Sequence, residues 1–125
     1  MSIAIKRTLR SLPSLPYEAM ARVILGSKYD LSLIICGDTL ARQMNATYRH
    51  KTYVPNVLSF PYSGREGEIF LNVRKAEREA RQIGTSPKAR LAILFVHGCF
   101  HLKGSRHGAT MEKLERSVLR KFGFV

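Results

Sequence analysis

Three of the four histidines in this chain, His97, His101 and His107, fall within a run of eleven residues. His97 and His101 stand four apart, which on a helix puts two imidazoles on one face with Cβ atoms roughly 5–6 Å from each other. Gly104 interrupts the helical pattern three residues later and lets the chain turn back, so His107 is expected to reach the same point. Three neutral imidazoles on one ion leave a coordination position for water, the layout of a catalytic zinc site rather than a closed structural one. From the four-residue spacing alone, a hydrogen-bonded pair of core or surface histidines is the plainer reading. The third histidine changes the balance, because the cluster sits on and just after the most apolar helix, where an unpaired imidazole is costly to bury. One zinc ion per chain is expected, with another divalent transition metal as the alternative.

The spacing His-x-x-x-His-x-x-Gly-x-x-His also matches the zinc-binding pattern of metzincin proteases. Such a protease needs a glutamate after the first histidine as general base, and Gly98 stands there instead. Met111, four residues past the last histidine, reads more simply as a core residue than as the methionine of a Met-turn.

These residues need elements to hold them. Ser86 followed by Pro87 opens a helix whose core stripe is Leu91, Leu94, Phe95, Cys99 and Leu102; Ile93, Val96 and Phe100 add apolar residues off the stripe, so the helix is central and largely buried. A last amphipathic helix runs from Thr110 through Met111, Leu114 and Val118. Upstream, Ile3 to Lys6 forms a short edge strand, Pro13 and Pro16 mark a turn, and a helix spans Tyr17 to Leu25. Leu31 to Cys36 is a buried strand, and Asp38 caps a helix whose buried face is Leu40, Met44 and Thr47 or Tyr48, ending in the basic turn Arg49-His50-Lys51. Val57 to Tyr62 and Glu68 to Leu71 form a hairpin around a loop containing Gly64 and Gly67, after which Asn72 caps a charged helix ending near Gly84. The sum is α+β: a small mixed sheet packed against several helices, the central helix carrying two of the candidate metal ligands. No repeat or linker divides residues 1–125, which read as one domain.

Composition narrows the partners. Twenty-one Lys and Arg against nine Asp and Glu give a formal charge of +12, spread as net +5 over residues 1–62 and net +7 over the rest. This favours an anionic partner, nucleic acid before membrane, although a basic surface also serves solubility alone. The start of the chain lacks the apolar stretch of a signal peptide, and the longest apolar run, Leu91 to Val96, is too short to span a membrane. Cys36 and Cys99 form no Cys-x-x-Cys pair and read as small buried residues of a reducing cytoplasm.

At the histidines the sequence resembles the YbeY family of bacterial endoribonucleases, whose signature His-Gly-x-Leu-His-Leu-x-Gly-Tyr-Asp-His stands here as His97-Gly98-Cys99-Phe100-His101-Leu102-Lys103-Gly104-Ser105-Arg106-His107. Met111-Glu112 and Glu115 match its Met-Glu-x-x-Glu, and Met44 to Lys51 resembles its Leu-Asn-x-x-Tyr-Arg-x-Lys. Asn56-Val57-Leu58-Ser59-Phe60-Pro61 resembles its Asp/Asn-Val-Leu-Ser-Phe-Pro strand, and Gly67-Glu68-Ile69 its Gly-Asp-Ile. The resemblance implies a zinc-type endoribonuclease acting on single-stranded RNA, with roles in maturing the 3′ end of small-subunit ribosomal RNA and in ribosome quality control. Ribosomal RNA and the small subunit are its implied partners. Before the third histidine, Ser105-Arg106 replaces Tyr-Asp, and the loss of a carboxylate that could orient an imidazole bears on metal affinity.

Arg49 is the candidate for gripping a phosphate and countering its developing charge. From spacing alone it is as readily a solvated helix-end residue, and the resemblance favours the functional role. Lys51 and Arg106 are weaker candidates for RNA contacts. Glu68 reads equally as a proton-transfer group or as a strand-edge carboxylate paired with an arginine, His50 as an exposed loop histidine, and Ser59 as a strand residue rather than a nucleophile. The competing function is an RNA-binding or ribosome-associated module with a structural metal and little catalysis; a zinc-dependent, protease-like hydrolase ranks last.

Overall fold

The computed structural model describes residues 1–9 and 14–125. The turn expected at Pro13 lies outside the described residues. Alternating Ile3 and Ile5 belong to strand β1 (Ser2–Arg7), which is mostly exposed, as an edge strand is. Helix α1 (Tyr17–Leu25) follows Pro16 and buries Tyr17, Met20, Ala21 and Ile24, the i, i+3, i+4, i+7 stripe of an amphipathic helix. Then come β2 (Asp30–Cys36), α2 (Asp38–Arg49), β3 (Val57–Pro61), β4 (Glu66–Asn72), α3 (Val73–Ile83), α4 (Pro87–Leu102) and α5 (Ala109–Lys121).

The strands form one sheet in the order β1-β2-β4-β3, with β1, β2 and β4 parallel and β3 antiparallel to β4. The mixed α+β architecture expected from the sequence is therefore the one observed. Both central strands are buried on both faces, which is why β2 reads as a nearly unbroken apolar run. Leu33, Ile35, Ile69 and Leu71 join the main core with residues of α1, α3, α4 and α5. Ile34, Cys36, Leu58 and Phe70 point to the other side, where Ala41 of α2 covers them with Leu40, Met44 and Phe60 at the margin.

Four local expectations need correction. Asp38 is the first residue of α2, not its cap: Gly37 precedes the helix, and no side chain among the described residues caps it. Asp38 is drawn instead to α3, where its Oδ1 accepts from Asn72 Nδ2 at 2.9 Å and its two oxygens meet the Arg78 fork at 2.9 Å each. The buried residues of α2 are Ala41 and Asn45, while Tyr48 is 63% exposed and Thr47 is exposed. A small residue and a polar one carry that packing, so the larger side chains beside them misled the periodicity. Gly67 lies within β4, not in the hairpin loop. A Cβ there would come within 2.3 Å of the Tyr29 hydroxyl and 2.8 Å of Leu102, so the strand needs glycine where helix and tyrosine press on it. In α5, Met111, Val118 and Leu119 are buried, but Leu114 is 47% exposed.

Candidate metal centre

Ser86 caps α4 by accepting the Ala89 N–H at 3.1 Å, and Pro87 occupies the first turn. Leu91, Phe95, Val96 and Cys99 are fully buried along this helix, and that packing fixes the rotation at which His97 and His101 leave it. Strand β3 lies close alongside. A Cβ on Gly98 would stand 3.1 Å from both Ser59 Oγ and Val57 Cγ2, and the Ser59 hydroxyl donates to the Gly98 carbonyl at 2.9 Å. Position 98, where a metzincin carries its glutamate, is thus occupied by the approach of a strand, and a long carboxylate side chain has no room there.

After Leu102 the chain turns at Gly104, whose φ of +90° favours glycine, and its N–H returns to the His101 carbonyl at 3.0 Å. His107 then stands with the other two: ring centroids are separated by 4.5 Å for His97 and His101, 4.9 Å for His97 and His107, and 4.6 Å for His101 and His107. One nitrogen from each lies within 4.8 Å of the others. His97 Nε2 and His101 Nε2 are 3.0 Å apart, close to the roughly 3.3 Å that two nitrogens keep when each is about 2.0–2.1 Å from a tetrahedral zinc. The donor set fits a borderline transition-metal ion. His97 and His101 are half-buried and His107 is exposed, so the site faces outward on one side.

A fourth residue, from α5, completes the arrangement. Glu115 Oε2 lies 2.9 Å from His97 Nδ1. The carboxylate can only accept, so Nδ1 carries the proton and Nε2 keeps its lone pair for a metal. Arg106 puts a cation where the resemblance implies a carboxylate, and Glu115, eight residues beyond His107, supplies a carboxylate to His97 instead. Its signal was available, because Glu115 falls on the same helical stripe as buried Met111 and Val118. Burial, then the neighbouring His97, His107 and Arg49, holds the His101 imidazole below its ordinary pKa and so favours the neutral ligand form.

The imidazoles open into a cavity of about 420 Å³ whose wall also includes Arg49, Tyr53, Asn56, Val57, Leu58 and Ser59. Arg49 Nη1 donates to Asn45 Oδ1 at 3.4 Å and to the Tyr53 hydroxyl at 3.2 Å. With that nitrogen's two protons engaged, the Nε–Nη2 edge of the guanidinium remains for an anion. Lys51 and Arg106 are exposed and do not line the cavity. His50 ends α2 in the left-handed region, also exposed and outside the wall. Glu68 likewise lies outside, accepting the Tyr62 hydroxyl at 2.7 Å. Tyr53 and Asn56 were not singled out by sequence as site residues, since only the fold brings their loop beside the histidines.

A mixed sheet with a buried helix, three converging imidazoles and an arginine in the same open cavity defines an α+β protein with a cluster that could hold a metal ion. Residues 5–123 match the model of the family described as Endoribonuclease YbeY, and the chain belongs to the YbeY family. A protein named Endoribonuclease YbeY from Polynucleobacter asymbioticus is 39% identical over 103 residues, covering 75% of this chain and 66% of the relative. One from Pseudomonas entomophila is 36% identical over 107 residues, covering 75% and 68%. The chain thus spans about two-thirds of the length of these relatives. The solution structure of TM1509 from Thermotoga maritima shares the fold at a TM-score of 0.65, with 18% identity, over 95% of this chain and 89% of that one. No helix among the described residues is long and apolar enough to cross a membrane.

Proposed function

We propose that residues 1–125 form a single metal-dependent endoribonuclease domain that cleaves single-stranded RNA, acting in the cytoplasm in 3′-end maturation of small-subunit ribosomal RNA and in ribosome quality control. The observation that carries this reading is that Arg49 lines the same cavity as His97, His101 and His107. The name of the relatives, Endoribonuclease YbeY, supports the substrate class, and the formal charge of +12 supplies attraction for a polyanion.

His97, His101 and His107 would hold one ion, for which zinc suits three imidazoles best. When bound, that ion supplies Lewis acidity toward a phosphoryl oxygen and makes water a competent nucleophile near neutral pH. The rest is done by the chain itself. Glu115 keeps His97 in one tautomer and orientation. Asn45 and Tyr53 hold Arg49 so that its free edge meets two phosphate oxygens, and the charge that develops on them is countered by a cation already in place. Ser59 keeps β3 against α4, closing one side of the cavity with Val57 and Leu58. Lys51 and Arg106, on the exposed surface, extend the RNA path outside it.

Single-turnover cleavage of labelled single-stranded RNA, with His97→Ala as the inactive control and elemental analysis of both proteins, tests the reading. The expected result is cleavage by wild type, about one ion per wild-type chain and loss of both in the variant. Salt-sensitive RNA binding with no cleavage above the control would leave the alternative, a metal-stabilised RNA-binding module.

A further inference from the structure

The loop from Tyr53 to Asn56 forms one wall of the cavity, and every residue in it is tied down. Asn45 Nδ2 donates to the Tyr53 carbonyl at 3.0 Å, Lys75 Nζ donates to the Val54 carbonyl, and Asn72 Nδ2 donates to the Pro55 carbonyl at 3.1 Å. The Asn56 carbonyl accepts the Asn72 N–H at 2.9 Å. The last tie is on a side chain: Asn56 Nδ2 lies 3.2 Å from each oxygen of Glu79, and Glu79 Oε1 in turn accepts from Arg90 Nε at 3.0 Å.

This fixes the chemistry that Asn56 shows the cavity. A carboxylate only accepts, so the amide cannot be flipped: the NH2 group is committed to Glu79. The carboxamide oxygen accepts no hydrogen bond from the described residues. Asn56 therefore offers an acceptor, on a loop hydrogen-bonded at each residue, and lines the same cavity as Arg49. A phosphate gripped by Arg49 brings its own sugar into the same space. Phosphate and ring oxygens are acceptors, and the one donor on the sugar–phosphate chain of RNA is the 2′-hydroxyl; DNA has none.

We propose that Asn56, held by Glu79 and Arg90, is the residue by which this site selects ribose over deoxyribose, its carboxamide oxygen accepting the 2′-hydroxyl of the nucleotide seated beside Arg49. The inference rests on the RNA-directed function above and adds the residue that distinguishes the sugar. Glu79 is a positioning residue. Its replacement by glutamine lets both amides rotate and removes the commitment of the Asn56 oxygen without removing Asn56.

The test is binding, measured by fluorescence anisotropy in the cold with cleavage followed in parallel on gels. The probes are a single-stranded RNA, the DNA of the same sequence, and RNAs carrying one 2′-deoxynucleotide at each successive position. Wild type is expected to bind RNA more tightly than DNA and to lose roughly tenfold in affinity at one deoxy position, the size of one neutral hydrogen bond. Asn56→Leu and Asn56→Ala should abolish that positional penalty while leaving DNA affinity and metal content unchanged, and Glu79→Gln should reduce it. A purely structural role would weaken RNA and DNA together. If neither variant folds, the wild-type scan still decides: the absence of any sensitive position overturns the proposal. RNA cleavage with the same penalty in Asn56→Leu overturns it while leaving the nuclease reading intact, whereas failure of wild type to bind either nucleic acid overturns both.

Discussion

Glu115 Oε2 and His97 Nδ1 lie 2.9 Å apart, joining α5 to the helix that carries two of the candidate metal ligands. The contact would make His97 a better ligand in two ways, by fixing its tautomer and by raising the electron density at Nε2. Glu115→Gln should keep the fold and lower metal affinity about 10–100-fold. Competition with a chelator of known strength measures this, and circular dichroism checks the fold. Equal metal affinity in the variant would show that the carboxylate only packs.

Arg49→Ala should leave fold and metal content intact and reduce RNA cleavage by roughly a hundredfold or more, by analogy with losing one oxyanion donor. Arg49 is exposed and, among the described residues, hydrogen-bonds only Asn45 and Tyr53, so its removal opens no core cavity. The loss should fall on the chemical step rather than on ground-state affinity. Arg49→Lys should restore only part of the rate, because an ammonium has charge without the planar fork. Single-turnover rates at saturating enzyme measure this; an unchanged rate in Arg49→Ala would assign the residue to the surface.

Gly67 and Tyr29 should be coupled. Gly67→Ala places a methyl group 2.3 Å from the Tyr29 hydroxyl in a buried position and should cost about 1–3 kcal/mol. The Tyr29 hydroxyl is itself buried without a hydrogen-bond partner among the described residues, so Tyr29→Phe alone should be neutral or stabilising. Combined with Gly67→Ala, it should recover part of the loss. Urea unfolding of the two single variants and the double variant measures the coupling, and strict additivity would refute it.

Acid should expose the Asp38 contact. The Arg78 fork beside Asp38 holds its carboxyl below the ordinary range, and the Asn72 amide adds to this against the opposing effect of burial. A carboxyl with a depressed folded pKa contributes stability above its unfolded value, near 3.9, and loses that contribution as the pH falls through the folded value. The pair is largely exposed, so the effect should be small. The stability advantage of wild type over Asp38→Asn, followed by urea unfolding from pH 6 to pH 2.5, should shrink below about pH 4. A gap that stays constant to the acid end would rule out an ionic origin.

What could be read from sequence was whatever local chemistry decides. Asn72, Ser86-Pro87 and Gly104 delimit their helices through bonds to residues three or fewer positions away, and His97 and His101 share a face because of helical pitch alone. What escaped was decided across the fold. Asp38 looks like a cap until Arg78, forty residues on, claims it. Asn45 sits in the buried face of α2 because a carbonyl of the cavity loop needs its amide. Asn56 and Glu79 are 23 residues apart with no motif joining them. Glu115 is different: it stands in the Met-Glu-x-x-Glu match and on the stripe of Met111 and Val118, but its partner His97 is 18 residues away and only the packing of α5 on α4 joins them.

The antiparallel hairpin of β3 and β4, the turn after α4 and helix α5 each form from nearby residues, yet the cavity wall, the third imidazole and the carboxylate partner of His97 come from different ones of them. Met111 and Val118 must be seated before Glu115 can reach His97. Loss of the α5 packing through Met111 or Val118 would therefore disturb the centre without altering any of the three imidazoles, because Glu115 would no longer be held against His97.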